Sequence, residues 1–414
     1  MNPFEQKAAP ADSLFQSWKM LYPVPYDKNE TDPYTKTRII LMNGTEFEAV
    51  WFSHQFHRHC DSDELRRELA VLRRTEQQQQ KRIACLKPID EPILETTIAY
   101  EQLAVDLTAI LAQREPDPYV ASVMDLALLE DFDHLYRYAD LLDFEGGVHA
   151  ERLVGSYTEI MPGRPTISEH RHPRDSVRRA CDFRKAAPLT RLDTAIITAA
   201  EQQTMNFYMN QCGFYTSDLG RRLYQEIAMI EEQHVTQYGA LLDTRCSWLE
   251  NLLMHEYTEC YLYWSCFEDE TDPHIKKVWE QHFEQELSHL HTAARLLEKY
   301  DKKQWQQVIP DGEFPPLLHF APQKEYVRSV LENTVYHTAQ CADPSVPVSE
   351  LPADADFFAY QAAVNPDTAQ VASHQVIRTA ISKRGEDYRF QDGEHPVPAL
   401  RDRTKDNTSV GRKA

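Results

Sequence analysis

The chain has 414 residues, a formal net charge of −21 and eight scattered cysteines. Its acidic balance disfavours nucleic acid and anionic membranes as partners. The sequence contains no run of about 18 apolar residues, so no transmembrane helix is predicted. The N-terminus lacks the basic and apolar segments of a secretory signal. Because no Cys-x-x-Cys pair occurs, we expect neither a zinc ribbon nor a rubredoxin module, and the cysteines suit a reducing cytoplasm. Only 12 glycines favour a mostly helical protein.

The N-terminal segment 1–92 is predicted to be an extension with one or two helices. Proline- and tyrosine-rich sequence predicts irregular chain over residues 1–44. Helices are expected at 45–60 and 63–86, the second of them strongly charged.

A long helical pattern begins after Pro92, which suits the first turn of a helix. The sequence predicts a first helical hairpin over 93–145, because the two prolines of 115–118 force a turn between two apolar, helix-forming segments.

Residues 146–188 contain several prolines and basic residues and are predicted to form a crossover loop. The segment 190–299 is predicted to form two further hairpins, hairpins two and three. The turn of hairpin two is expected between Gly213 and an N-cap at Ser217 or Asp218. The turn of hairpin three is expected at 268–272, where Pro273 suits the start of the returning helix. The remainder, 300–414, is predicted to be a loop-rich extension with short helices near 323–340 and 366–383. The fold class is therefore all-α.

Each predicted hairpin carries an acidic residue on its first helix and an acid-x-x-His sequence on its second. The two acids are 30 residues apart in every hairpin, and the midpoint falls at the predicted turn. Residues equidistant from the tip of an antiparallel hairpin lie at one height, and an i, i+3 pair shares a helical face. The residues are Glu101, Asp131 and His134 in hairpin one, Glu201, Glu231 and His234 in hairpin two, and Glu256, Glu286 and His289 in hairpin three.

Two such hairpins would supply four carboxylates and two imidazoles, a set that binds two divalent ions in helical bundles. Imidazole favours iron or manganese over calcium, and buried carboxylates need cations to be tolerable. The regular spacing depends on choosing Glu256 rather than Glu259, and Asp131 rather than Glu130. We predict two iron ions per site, with manganese as the alternative metal.

Two stretches resemble metal-ligand helices of the ferritin-like superfamily, particularly its rubrerythrin-type members. They are IAMIEEQH at 227–234 and HEYTECY at 255–261. The resemblance covers about 93–143 and 190–299, and it implies a ferritin-like helical bundle, here with three antiparallel hairpins and irregular N- and C-terminal extensions. The ligands that it implies are Glu201, Glu231, His234, Glu256, Glu286 and His289.

The family builds its site from two hairpins, whereas this sequence offers three. A site from hairpins one and two fits the usual long crossover, and a site from hairpins two and three has the stricter residues, because hairpin one has Asp131 in place of glutamate. Both pairings remain open. The family's rubredoxin cysteines are missing, so an external electron-donor protein is expected.

The resemblance implies an oxidoreductase of the oxygenase or peroxidase type that activates O₂ or peroxide at a di-iron centre. The alternatives are an iron-binding or storage protein without turnover, and a helical scaffold whose acidic clusters bind no metal. We expect a cytoplasmic location, with a homodimer as one expectation for its assembly.

Overall fold

The computed structural model describes residues 1–341, 343–389 and 391–404. Within them the protein is mostly helical, as predicted, with twelve α-helices and one antiparallel pair of short strands. None of the helices in these ranges combines the length and the apolar character needed to cross a membrane.

The helices of the first half are α1 (Pro33–Arg58), α2 (Asp63–Ala84), α3 (Ile93–Arg114), α4 (Pro118–Gly146) and the short α5 (Thr166–Glu169). They are followed by α6 (Pro188–Phe214), α7 (Asp218–Gly239), α8 (Trp248–Asp269) and α9 (Pro273–Leu296). The C-terminal part holds α10 (Lys324–Thr334), β1 (His337–Gln340), β2 (Asp343–Pro347), α11 (Asp356–Val364) and α12 (Ala372–Arg384).

The chain divides into two compact units, each assembled from segments that are distant in sequence. The first unit comprises residues 1–91, 182–203 and 243–320, and the second comprises 92–181, 204–242 and 321–414. Helix α6 is shared, because its residues up to 203 belong to the first unit and the rest to the second. This division differs from the consecutive segments expected from the sequence.

Four long helices of the first unit form a bundle of two hairpins. Helix α1 packs on α2 and α8, and α9 packs on α8 and α2. Short connections join each pair, and capping side chains start the returning helices. The Ser62 hydroxyl accepts from the Leu65 amide at 3.3 Å, and Asp272 accepts from the His274 amide at 2.8 Å, with Pro273 in the first turn.

Helix α1 starts twelve residues earlier than the predicted boundary at 45. Asp32 caps it by accepting from the Tyr34 amide at 2.8 Å, and Pro33 occupies the first turn. Gly44 lies inside this helix where a Cβ atom would stand 2.6 Å from the Cβ of Gln203 on α6. Gly44 therefore permits a close approach of α1 and α6.

Glu270 at the α8–α9 turn anchors α1 through a buried ion pair. Its carboxylate accepts from the hydroxyl of Thr35 at 2.6 Å, from Arg38 Nε at 3.0 Å and from Trp279 Nε1 at 3.1 Å. Charge-assisted bonds of this kind are stronger than neutral ones and fix the register of the helices that they join.

The second unit is built around the hairpin of α3 and α4. Helices α7, α10 and α12 pack on α4, and α12 also packs on α7. The second half of α6 contacts α3 through the stacked rings of Phe207 and Tyr100, whose centroids are 4.2 Å apart. Helix α7 also contacts α3, because the hydroxyls of Tyr224 and Thr97 lie 2.6 Å apart.

The C-terminal part differs in detail from the prediction. Helix α10 ends at Thr334 rather than continuing to 340, and the chain then forms the antiparallel β1–β2 pair. The β-branched and aromatic residues of 334–338 favour extended structure over a longer helix. The helix predicted at 366–383 begins at Ala372, and α11 precedes it without having been predicted.

Candidate metal centre

A buried cluster of carboxylates lies in the four-helix bundle of the first unit. Each of its residues is at most 2% exposed. Helix α1 contributes Glu46, α2 contributes Glu76 and Gln79, α8 contributes Glu256 and Glu259, and α9 contributes Glu286 and His289. Five carboxylates, one carboxamide and one imidazole thus share the interior of one bundle.

The ligand atoms of these side chains form two overlapping groups. In the first, atoms of Glu76, Glu256, Glu286 and His289 all lie within 4.8 Å of one another; in the second, the same holds for Glu46, Glu76 and Glu259. Glu76 belongs to both groups. The arrangement therefore offers two adjacent cation positions with one carboxylate between them.

His289 faces the carboxylates with its Nδ1 atom. That atom lies 2.6 Å from Glu76, 3.1 Å from Glu286 and 3.7 Å from Glu256. Although burial lowers the pKa of His289, the charges of Glu286 and Glu76 raise it well above its usual value. The imidazole thus supplies, when protonated, part of the positive charge that the cluster requires.

Burial and the neighbouring carboxylates raise the pKa of four of the five glutamates, whereas for Glu76 the nearby His289 outweighs burial and lowers the pKa. Burial raises the pKa of Glu259 well above its usual value, and the charges of Glu76 and Glu286 raise it further. Burial also raises the pKa of Glu256, and the charge of Glu76 raises it further. Because ionised carboxylates repel at these distances, five of them cannot all be charged without additional cations.

Both carboxylate oxygens of Glu259 are buried without a hydrogen-bond partner among the described residues. Nε2 of His255 lies 3.7 Å from Glu259 Oε2. An unsatisfied buried polar group costs about 1–3 kcal/mol, and more when it is charged. Glu259 therefore fits the role of a metal ligand, since a bound cation would satisfy both oxygens.

Neighbouring polar side chains hold two of the ligands in place. The hydroxyl of Tyr263 donates to Glu46 and lies 3.1 Å from His282 Nδ1, and the carboxamide of Gln79 donates to Glu286. Second-layer hydrogen bonds of this kind orient ligands around a metal.

A second buried group lies in the second unit, on α3, α4 and α7. Ligand atoms of Glu101, His134 and Glu231 lie within 4.8 Å of one another, and so do those of Asp131, Glu231 and His234. Nδ1 of His134 is 2.9 Å from Glu231, and Nδ1 of His234 is 3.2 Å from both Glu231 and Asp131.

Arginines from the predicted crossover loop partly neutralise this second group. Arg164 and Arg171 each donate to Glu130 at 2.6 Å, and the same carboxylate lies 2.6 Å from Nε2 of His234. Burial alone would raise the pKa of Glu130, but the two guanidinium groups hold it well below its usual range. Glu130 is thus engaged by arginines, and Asp131 faces the histidines.

The structure separates the nine predicted ligands between the two units. Hairpin three supplies Glu256, Glu286 and His289 to the first unit, where its partner is the α1–α2 hairpin rather than hairpin two. Glu101, Asp131, His134, Glu231 and His234 come together in the second unit. Glu201 is buried on the part of α6 that belongs to the first unit, and its role as a ligand stays a prediction.

Helices were predicted at 45–60 and 63–86, but Glu46, Glu76 and Gln79 on them were not predicted as site residues. The signal was present, because Glu46 and Glu76 are also 30 residues apart with their midpoint in the turn between the helices. The predicted pattern has histidine three residues after the second acid, whereas this hairpin has Gln79 three residues after Glu76. Glu259 was set aside in favour of Glu256, whereas the structure places both in the cluster.

Comparison of the chain with protein-family models, with curated proteins and with solved structures finds no match to any of them.

Proposed function

We propose that the first unit binds two divalent metal ions, with iron as the principal metal, and that the protein is a di-iron oxidoreductase acting on O₂ or peroxide. The observation that carries this proposal is the buried cluster of five carboxylates and one imidazole inside a four-helix bundle. Ligand sets of this kind occur in ferritin-like di-iron and di-manganese proteins. The residues that would hold the ions are Glu46, Glu76, Glu256, Glu259, Glu286 and His289.

Two bound iron ions would supply electrons in pairs to the oxidant. The chain itself orients the ligands and limits access of water. Tyr263 and Gln79 fix Glu46 and Glu286 by hydrogen bonds. Buried leucines lie one helical turn from the ligands, as with Leu72 before Glu76. Because the chain contains no Cys-x-x-Cys pair, we assign the supply of electrons to a separate donor protein.

The second unit offers a second candidate metal site at Glu101, Asp131, His134, Glu231 and His234. His134 faces Glu231 with its Nδ1 atom at 2.9 Å, which supports a ligand role for this side chain, while its Nε2 lies 3.7 Å from Glu169. The neighbouring Arg164, Arg171 and Arg137 reduce the negative charge available to a cation. We therefore place the redox centre in the first unit.

Metal analysis of variants tests the proposal. In protein purified without chelator, we expect two iron ions per chain in the first unit, and His289→Ala should lose at least one. His274→Ala, at an exposed position of the same helix, is the matched control. If Glu231→Gln also loses metal and Glu232→Gln does not, the second unit binds metal as well. Full metal content in a folded His289→Ala protein that also carries Glu286→Gln would refute the first-unit site.

The reaction with oxidant separates the enzyme from a storage protein. Anaerobically reduced, iron-loaded protein should be oxidised by O₂ or peroxide faster than free ferrous ion at the same pH, as followed by near-ultraviolet absorbance. In an enzyme, oxidation should stop once the bound ferrous ions have been oxidised, and it should resume only after a donor has reduced them again. Consumption of hundreds of ferrous ions per chain would favour storage, and absence of bound metal would favour the scaffold.

A further inference from the structure

The two hairpins of the first unit differ at one equivalent position. In both, two glutamates are 30 residues apart, Glu46 and Glu76 in one and Glu256 and Glu286 in the other. Three residues after the second glutamate stands His289 in the α8–α9 hairpin and Gln79 in the α1–α2 hairpin. The bundle thus has an imidazole on one side of its centre and a carboxamide on the other.

The donor atoms follow the same asymmetry. The group that contains His289 combines one nitrogen with oxygens of Glu76, Glu256 and Glu286, whereas the group of Glu46, Glu76 and Glu259 has carboxylate oxygens only. Imidazole suits iron and other transition metals, while sets made only of oxygen suit harder ions such as Mg²⁺ and Mn²⁺. Gln79 follows Glu76, a member of this set, by one helical turn. Its carboxamide nitrogen donates to Glu286, and its oxygen, a neutral donor, has no hydrogen-bond partner among the described residues.

The imidazole of His255 also lies near Glu259. Its Nε2 lies 3.7 Å from Glu259 Oε2, but the group of Glu46, Glu76 and Glu259 does not include it. Both oxygens of Glu259 are buried and without a hydrogen-bond partner in the described part of the chain, so this carboxylate itself indicates a cation position.

We infer that the two metal positions of the first unit are unequal, and this inference rests on the proposed metal-binding function. The position at Glu256, Glu286 and His289 binds the first ion and retains it. The position at Glu46 and Glu259 binds the second ion more weakly and exchanges it with hard divalent ions in solution. Glu76 is shared between them.

The test is an anaerobic titration of the metal-free, full-length chain with Mn²⁺, in which the electron paramagnetic resonance signal of free Mn²⁺ counts the unbound ion. We expect two binding steps that depend on the ligands of the first unit, with Kd values that differ by at least about 10-fold, the lower end of what loss of a hydrogen-bond partner of a ligand costs. His289→Ala should abolish the tight step, and Glu259→Gln should abolish the weak step alone.

The substitution Gln79→His restores the missing imidazole. It should tighten the weak step by about 10-fold or more and bring the two Kd values together. Gln80→His, at the neighbouring and partly exposed position of α2, is the matched control and should change neither step. His255→Ala should leave the weak step in place.

The outcomes distinguish this inference from the proposed function. Two equally tight ions in the wild-type chain, loss of the weak step in His255→Ala, or an unchanged weak step in folded Gln79→His would each overturn the inequality while leaving the metal centre. Failure of the wild-type chain to bind any ion that depends on His289 or Glu259 would overturn both.

Discussion

Glu259 shows how a single residue can identify a site that spacing alone does not select. Glu256 and Glu259 are one helical turn apart, and both are buried in the same cluster. The 30-residue spacing selects Glu256, because it matches the pattern of the other hairpins. Only the three-dimensional surroundings reveal that Glu259 faces Glu46 and Glu76, which come from two helices distant in sequence.

At this scale we predict that Glu259→Gln stabilises the metal-free protein while lowering its metal content. The amide removes one buried negative charge and can donate hydrogen bonds to the carboxylates around it, so the free energy of unfolding should rise by about 1 kcal/mol or more. Thermal unfolding in the presence of chelator measures the change. Glu284→Gln, at an exposed position of α9, is the control. If the metal-free variant is less stable than metal-free wild type, the Glu259 side chain stabilises the fold by packing rather than by binding a cation.

Single elements were predictable where their signals are local. The turns at 115–118 and 268–272 were placed correctly, because proline and capping aspartates act on their immediate neighbours. The start of α1 was misplaced, although Asp32 and Pro33 give the same signal there. The pairing of hairpin three with α1–α2 could not be predicted, because it depends on packing between segments about 200 residues apart in the sequence.

The contact between α7 and α12 gives a prediction of pH dependence. Glu226 on α7 accepts from the Ser373 amide at 3.1 Å and from its hydroxyl at 2.8 Å, in the first turn of α12. Burial raises the pKa of Glu226, but His170 and Arg137 outweigh it and lower the pKa to about 2. Since the folded-state pKa is depressed, the stabilisation is present above the unfolded-state pKa of about 4.5 and is lost as pH falls toward 2.

We therefore expect Glu226→Gln to lower the free energy of unfolding by up to about 3 kcal/mol near pH 6, and by progressively less toward pH 3. Urea unfolding at several pH values measures the difference from wild type. Glu232→Gln on the same helix should show no comparable trend. A constant difference between Glu226→Gln and wild type across this pH range would contradict the electrostatic account.

The whole molecule carries an excess of negative charge, and part of that excess is buried in the first unit. Folding must therefore desolvate and crowd together carboxylates that the unfolded chain keeps apart in water. Metal ions that bind the folded chain would offset this cost, so the stability of the first unit should depend on metal.

We predict that removal of metal by a chelator lowers the unfolding temperature. Ions held at about 100 times their Kd would contribute about 2.7 kcal/mol of stability per site, a contribution that chelation removes. Calorimetry with and without chelator measures the shift. The same treatment of a His289→Ala, Glu286→Gln protein should produce a smaller shift. Identical unfolding temperatures at demonstrated metal loss would argue against coupling between metal and folding.

The segments of the two units alternate along the chain, and this order has a consequence for synthesis on the ribosome. The bundle of the first unit needs α1 and α2 from the start of the chain and α8 and α9 from residue 248 onward. Its early half, which ends at Ala84, must therefore wait while about 210 residues are made, up to the end of α9 at Leu296. During that time the apolar faces of α1 and α2 lack their native cover, which is a condition that favours chaperone binding. His289 is among the last ligands to emerge. The nascent chain would therefore complete the proposed metal centre late, when most of the second unit has already been translated.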